Sequence, residues 1–218
     1  MPRRHPLSHT ISSPTLSFPH IWLFSDERSA VDVAALAAEL PPGSGIVVRH
    51  DSLPPAVRWR LVRRLIRIAR ARRLVLLLAD TPALARRWGA DGVHLRQRHA
   101  GKAAQAHKLG LRLTMPVHDR TEAQRARRAG AHAAFISPLH PTRSHPGAPG
   151  LGRAAWLRLA RLADAQAIAL GGMSPARAHA LHKAAMASGI TPGWAAIDAW
   201  VEKATKRRAR AVSRFGSG

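Results

Sequence analysis

The chain has 218 residues, no Cys, and 35 Lys and Arg against 12 Asp and Glu, which gives a formal net charge of +23. Its length fits one domain, and an apolar content of 46% is enough for a large core. The absence of Cys excludes disulfides, zinc–thiolate sites and thiol nucleophiles, and it fits a reducing, cytoplasmic location. No run of eighteen apolar residues is present, so we expect no membrane span.

The positive charge has two interpretations. A polyanion partner would lose its counterions when basic side chains neutralise its phosphates, whereas a solvated basic surface needs no partner. No nucleic-acid motif with interleaved aromatic residues is present. The basic stretches are also far apart along the chain, at 58–73, 86–87, 127–128 and 206–214. The sequence therefore favours a solvated surface over a nucleic-acid site.

The two ends of the chain differ from its middle. Residues 1–20 are basic, rich in Ser and Pro and free of acidic residues, as transit peptides are. The prolines in this stretch disfavour a helix, so we expect a disordered basic leader. We expect 206–218 to be a basic, flexible tail. One domain then spans 21–205.

The first half of the domain alternates short apolar runs with helical stretches. The stretch 55–72 repeats apolar residues at steps of three and four, from Val57 to Ile68, which predicts an amphipathic helix with Arg on its other faces. Residues 74–80 form a continuous apolar run, typical of a strand that is buried on both faces. The predicted strands are 21–25, 45–50, 74–80 and 91–95, and the predicted helices are 31–40, 55–72 and 81–89.

The second half repeats the pattern. Gly110 and Gly130 mark the ends of two helices, because Gly adopts the left-handed conformation that terminates a helix. A long loop of Pro, Gly, Ser and His follows the sixth strand at 138–152. The predicted strands are 112–118, 132–137, 165–170 and 193–198, and the predicted helices are 101–110, 119–130, 153–164, 174–189 and 199–211.

Eight strand–helix units follow one another without an internal linker. Regular alternation of strands and helices indicates a parallel sheet, and eight units favour closure into a single (β/α)₈ TIM barrel. An open doubly wound sheet is the alternative, but its GxGxxG fingerprint is missing. In a barrel, the functional side chains come directly after the strands.

The ends of the seventh and eighth strands indicate phosphate binding. In IALGGMSP (168–175), Gly171 and Gly172 separate a buried strand from the start of a helix. Glycine lets an anion approach the backbone, and a helix N-terminus offers free N–H donors. The alternative is that the two glycines only form a tight turn.

Asp80 has two interpretations of its own. A carboxylate at the end of an apolar strand could bind Mg²⁺ together with substrate phosphate oxygens, or it could cap the helix that begins at Pro82. Scattered histidines show no metal-binding spacing such as HExxH, and no GxSxG elbow is present. The loop after strand six offers Thr, Arg, Ser and His donors for phosphate, or it is a surface lid.

Five segments stand out by their order and spacing: GADGVHLRQ (89–97), VH with the following TEA (117–123), AFISPLHPTRSHPGAPGLG (134–152), AIALGGMSP (167–175) and GWAAIDA (193–199). Each is weak alone, but together they resemble the thiamine phosphate synthase and TenI superfamily. The resemblance covers about residues 20–200 and implies a barrel that binds small phosphorylated substrates.

The resemblance also implies a reaction. The family synthase joins hydroxymethylpyrimidine diphosphate to thiazole phosphate with Mg²⁺ as cofactor: pyrophosphate leaves, and the thiazole nitrogen captures the pyrimidine carbocation. By position, Arg49 matches the diphosphate-binding Arg, while Asp80 and His99 match the two Mg²⁺ aspartates. The other positions implied to bind substrate are Gln97, His118, Thr142, Arg143, His145, Gly171, Gly172 and Gly193.

The sequence departs from the family pattern mainly on the diphosphate side. Asp51 stands where the family has Lys, and His99 where it has Asp. Three hypotheses follow: a divergent synthase, a TenI-like or non-catalytic thiazole phosphate-binding barrel, and a polyanion-binding protein. His140 is the candidate catalytic base of the TenI-like reaction, because the family His aligns with Pro138. The sequence leaves the oligomeric state open.

Overall fold

The computed structural model of the protein describes residues 18–142 and 149–215, with side chains described up to residue 206. Eight parallel strands close into one barrel in which each strand pairs with its neighbours in the chain and the eighth pairs with the first. This closure confirms the predicted (β/α)₈ barrel over the open-sheet alternative. Most of the predicted leader lies outside the described residues, as do Arg143 and His145.

Strands and helices alternate without exception along the described chain. The strands are β1 (Ile21–Phe24), β2 (Gly45–Val48), β3 (Val75–Leu78), β4 (Gly92–His94), β5 (Arg112–Val117), β6 (Ala133–Ile136), β7 (Gln166–Ala169) and β8 (Gly193–Ala196). The helices are α1 (Val33–Glu39), α2 (Pro55–Arg72), α3 (Pro82–Trp88), α4 (Ala103–Lys108), α5 (Arg120–Arg128), α6 (Gly152–Ala163), α7 (Pro175–Met186) and α8 (Asp198–Phe215). A 3₁₀ turn, Gln97–Lys102, precedes α4.

Two apolar layers hold the barrel together. Alternate strand residues, such as Trp22 and Phe24 on β1, point inward and fill the barrel, while the residues between them pack against the helices. The rings of Trp22 and Phe135 meet edge to face at 5.3 Å between centroids. Small residues, Ala133 and Ala195, share this interior, so the large rings have room because their neighbours are small.

The N-terminal end of the barrel is covered by residues 18–20. The Nε1 of Trp22 donates a hydrogen bond to Pro19 O at 2.7 Å, and Trp194 N donates to His20 O at 2.7 Å. The Phe18 ring lies 5.3 Å from the Trp22 ring. The chain therefore contacts the barrel three residues before the predicted domain boundary. At the C-terminal end of the chain, α8 runs to Phe215 and extends into the predicted tail.

The buried face of helix α2 overlaps only in part with the one that its apolar spacing predicts. Val57 is 38% exposed, whereas Arg58 is only 7% exposed and continues the buried stripe formed by Val62 and Leu65. The prediction for Val57 was wrong because Arg58 is held on the buried side by ion pairs with Asp51 and Asp80, and apolar periodicity does not account for ion pairs. Among residues 18–142 and 149–215, no helix is both long and apolar enough to span a membrane.

Gly45 at the start of β2 tests the packing of the barrel interior. A Cβ at this position would lie 2.2 Å from the Trp22 ring, which is fully buried. We expect Gly45→Ala to lower the free energy of unfolding by about 3 kcal/mol, because the ring has no space to move into. Urea denaturation followed by tryptophan fluorescence measures this change.

The matched control is Gly101→Ala, where a Cβ would meet nothing within 4 Å. Its free energy of unfolding should stay within about 1 kcal/mol of the wild-type value. Equal stabilities for the two variants would show that Trp22 is not confined as the structure indicates.

Candidate active site

A cavity of about 370 Å³ lies at the carboxyl ends of the strands. Its floor is apolar and includes Phe24, Phe135 and Ala195, and polar groups from the strand ends form its rim. A volume of this size suits a small organic ligand. A larger groove of about 520 Å³ runs between α5 and α6, but it lies away from the strand ends, with only His118 common to both.

Gly171 and Gly172 line one side of this cavity. Their φ angles are +91° and +62°, and an added Cβ would lie 2.7 Å from Pro138 Cα or 2.8 Å from Pro141 O. Only glycine meets both the backbone angle and the close approach. Helix α7 begins just beyond, and the Ser174 hydroxyl accepts a hydrogen bond from its first turn at 3.3 Å. Both glycines therefore line the cavity while the loop after β6 packs against them.

The third predicted phosphate-binding glycine lies elsewhere. Gly193 is the first residue of β8, at the opposite end of the barrel from the cavity. A Cβ there would lie 2.8 Å from His20 O, so glycine is needed where residues 18–20 cover the barrel. The prediction that Gly193 holds phosphate conflicts with this position. The far end of β8 reaches the cavity instead, through Ile197 and Asp198.

Asp198 brings an acidic group to the cavity lining. It is exposed, it is the first residue of α8, and it lines the cavity. A carboxylate at a helix N-terminus takes the favourable position that an incoming phosphate would also use. The pKa of Arg28 is raised by its hydrogen bond to Asp26 and also by the charge of Asp198, so one cation lies close to this carboxylate.

Arg49 and Arg96 form the basic side of the cavity. Arg49 donates from Nε to Ser25 O at 2.9 Å, and its guanidinium lies 5.7 Å from the centre of the Phe24 ring. Burial lowers the pKa of Arg49, but arginine stays charged at neutral pH. Arg96 forms an ion pair with Asp51. Sequence reasoning missed Arg96, although its position just after β4 could have identified it.

Asp80 is held by Arg58 and by the backbone. Its Oδ2 lies 2.5 Å from Arg58 Nη1, and its Oδ1 accepts a hydrogen bond from Thr81 N at 2.7 Å. The cap of α3 is Thr81, whose hydroxyl accepts from Leu84 N at 3.3 Å, so the prediction that Asp80 caps this helix was wrong. Asp80 is not among the cavity-lining residues.

The residues at this rim do not fit a Mg²⁺ site. Both oxygens of Asp80 already have partners, and the second implied ligand is a histidine, His99, on the 3₁₀ turn. Mg²⁺ prefers carboxylate oxygens and water. No group of three or more His, Asp or Glu side chains that could hold a metal occurs in the described part of the chain.

Gln97 lies outside the cavity lining, whereas His118 is part of it. The amide of Gln97 donates to Pro116 O and accepts from Arg125 Nη1 at 3.0 Å, so it ties α5 to the strand ends and does not line the cavity. His118 lines the cavity, and its Nδ1 lies 2.7 Å from a carboxylate oxygen of Glu122. Of the two, only His118 is placed to touch a ligand.

The start of the loop after β6 brings Thr142 into the cavity lining. His140 is partly buried, and its backbone N–H donates to Gly171 O at 3.2 Å. Burial, together with the nearby charge of Arg177, lowers the pKa of His140. Its Cβ lies 2.9 Å from the position of a Cβ on Gly172, so His140 packs against this glycine. The lowered pKa favours the neutral imidazole, but His140 is not among the residues that line the cavity.

His94 lies deeper, at the end of β4. Its Nδ1 is 2.9 Å from the Thr114 hydroxyl oxygen, and its ring packs against Phe24 and Phe135 at 5.5 and 5.3 Å. Burial first, and the charge of Arg49 second, lower the pKa of His94 to about 3. A neutral imidazole thus forms part of the cavity wall.

The family model and the relatives identified by sequence give the same family. A family model described as thiamine monophosphate synthase matches residues 24–195. A thiamine-phosphate synthase from Methylococcus capsulatus is 32% identical over 143 residues, which are 62% of this chain and 64% of that protein. One from Chromobacterium violaceum is 32% identical over 149 residues, 66% of this chain and 72% of that protein.

Two further proteins resemble this chain over different shares of their own length. A bifunctional thiamine biosynthesis protein from Symbiobacterium thermophilum is 31% identical over 183 residues, 80% of this chain but only 37% of that protein. The match thus spans less than two thirds of the Methylococcus and Symbiobacterium proteins. The structure of a thiamine phosphate pyrophosphorylase from Pyrococcus furiosus superposes with a TM-score of 0.67 at 18% identity, covering 86% of this chain and 95% of that one, which shows the shared fold.

The neutral His94 predicts a pH-dependent stability. Its pKa is about 3 in the folded chain against 6.5 in the unfolded chain, so only the unfolded chain takes up the proton between these values. The contribution of His94 is complete above pH 6.5 and is lost as the pH falls towards 3. Between about pH 7 and pH 5, wild-type stability should fall by about 2 kcal/mol more than that of His94→Gln.

Urea denaturation of both proteins across this pH range measures the difference. Parallel stability curves for wild type and His94→Gln would contradict a buried, neutral His94.

Proposed function

Because the chain belongs to the thiamine monophosphate synthase family, we propose that it forms thiamine phosphate from hydroxymethylpyrimidine diphosphate and thiazole phosphate. The observation that carries the proposal is the cavity at the strand ends, where a glycine-lined side faces an arginine-lined side across an aromatic floor. Two phosphorylated substrates fit this division if one directs its phosphate towards the glycines and the other directs its diphosphate towards the arginines. Small phosphorylated ligands and a cytoplasmic location are part of the proposal.

The thiazole phosphate is assigned to the glycine side. Gly171 and Gly172 line this side of the cavity, and the N-terminus of α7, with its free N–H donors, lies beside them. Thr142 can donate its hydroxyl to the same phosphate from the facing loop. The carboxylate of Asp198 must turn away from the phosphate or pair with a cation, because two anions at one helix end repel each other.

The pyrimidine diphosphate is assigned to the arginine side. The bond between the pyrimidine methylene carbon and the diphosphate oxygen breaks, pyrophosphate leaves with the electron pair, and the thiazole nitrogen then forms the new C–N bond. Arg49 and Arg96 are placed to stabilise the charge that develops on the leaving pyrophosphate. Phe24 and Phe135 form a floor that keeps water from the carbocation.

Metal chemistry is not part of the proposed steps. Bound Mg²⁺ would neutralise the departing pyrophosphate, but Asp80 and His99 do not present the ligands that such an ion needs. The described groups alone, chiefly Arg49 and Arg96, are therefore assigned to the diphosphate.

A second candidate function is thiazole phosphate binding without synthase activity, with or without TenI-type proton transfer by His140. The observation that favours it is the neutralisation of the rim, since Asp51 pairs with Arg96 and Asp80 with Arg58. Paired arginines attract a diphosphate less strongly than free ones. In this case the glycine side still binds thiazole phosphate, but the arginine side no longer supports the synthase reaction.

An endpoint assay of thiamine phosphate formation tests the proposed reaction. We expect product from the wild-type protein and an initial rate at least about tenfold lower from Arg49→Ala, because a charge-assisted contact to the leaving group is lost. The product is quantified by its fluorescence after oxidation. Arg98→Ala, at an exposed position outside the cavity lining, is the matched control and should keep the wild-type rate.

The assay also separates the two candidate functions. No product from a folded protein whose melting temperature rises with thiazole phosphate would exclude the synthase and support the binding barrel. Equal rates for wild type and Arg49→Ala would remove Arg49 from the site.

A further inference from the structure

We infer that Arg58 occupies the place of a divalent cation beside the cavity, so that an anionic group binds against Arg49 and Arg96 without a metal. The inference takes the organic diphosphate of the proposed function as that anion and rests on the proposal to this extent. Its basis is the set of oxygens that surround the Arg58 guanidinium.

The Arg58 guanidinium donates to four oxygen acceptors beside the cavity. Arg58 Nη1 lies 2.5 Å from Asp80 Oδ2, and Nη2 lies 3.4 Å from Asp51 Oδ1. Arg58 also donates to two main-chain carbonyls, from Nε to Arg49 O at 3.0 Å and from Nη2 to Ala79 O at 3.3 Å. Two carboxylates and two carbonyls are the ligand types that hard divalent cations take in proteins. Here they surround an organic cation.

A dissolved metal ion cannot easily displace this side chain. The Arg58 side chain is 8% exposed, and its guanidinium lies 5.7 Å from the centre of the Trp88 ring, on the buried face of α2. Arginine keeps its charge at any physiological pH. Mg²⁺ would have to give up bound water and force a covalently anchored cation out of a buried position. The guanidinium is therefore a permanent substitute.

The ion pairs near the cavity leave two arginines, Arg49 and Arg96, available to an anion in it. Arg28 forms the closer ion pair with Asp26, at 2.7 Å, while Arg49 Nη2 stays 3.7 Å from it. Arg96 pairs with Asp51 but carries five N–H donors, so donors remain for a ligand. Both Arg49 and Arg96 line the cavity, whereas Arg58 does not. Arg58 is thus a positioning residue that neutralises Asp51 and Asp80 beside the cavity.

Thermal unfolding with inorganic pyrophosphate as the probe tests the inference on the full chain. Pyrophosphate should raise the melting temperature of the wild type in EDTA, and excess Mg²⁺ should add nothing to its apparent affinity. Arg96→Gln should bind pyrophosphate about tenfold more weakly in EDTA. Arg60→Gln, at an exposed position of α2, is the control and should bind as the wild type does. A shift seen only with Mg²⁺, or no shift in either buffer, would overturn the inference.

A second variant separates a cation substitute from a merely structural arginine. Arg58→Ala leaves Asp51 and Asp80 without their shared partner, so Mg²⁺ alone should raise the melting temperature of this variant and not that of the wild type. A folded Arg58→Ala that ignores Mg²⁺ would count against the inference. If the variant does not fold, the wild-type comparison between EDTA and Mg²⁺ still decides the question.

The synthase assay in the same two buffers keeps the two proposals apart. Product that forms with Mg²⁺ and disappears in EDTA would support the proposed reaction and overturn the metal-free inference. Pyrophosphate binding in EDTA without any thiamine phosphate would support the inference and overturn the proposed reaction.

Discussion

Closure of eight parallel strands into one barrel brings all of their carboxyl ends to a single rim, and every feature of the site depends on this constraint. Groups far apart in the sequence, such as Arg49 after β2 and Gly172 after β7, line one cavity because of it. The interior is filled by a few large rings among small residues, with Trp22 and Phe135 in contact. This packing also gives the cavity its apolar floor.

The polarity of the rim is decided by pairing between charges. The chain has a large positive surplus, yet the described rim sets Asp51 against Arg96 and Asp80 against Arg58. The Arg58–Asp80 pair is the more buried of the two, so it stabilises the wall of the site as well as setting its charge. The guanidinium of an arginine binds its oxygen acceptors in a fixed planar geometry, whereas the ligands around a metal ion can rearrange.

Local patterns predicted the parts of the site that depend on local geometry. Gly171 and Gly172 lie after β7 as expected, because two glycines before a helix start permit the positive φ angles that a tight turn needs. Gly193 was assigned by resemblance alone, and it lies at the other end of the barrel. Gln97 was also taken for a ligand contact, but it spans a gap to Pro116 and Arg125 that only the folded chain creates.

The sequence by itself determined the barrel, the family and the glycine-lined side, because strand and helix periodicity and a Gly-Gly turn act over a few neighbouring residues. Tertiary structure decided which charges neutralise each other. Arg58 belongs by spacing to a solvated helix face, and its burial depends on how α2 packs against the ends of β2 and β3. Distances between such elements are set by packing of the whole core, which no local pattern encodes.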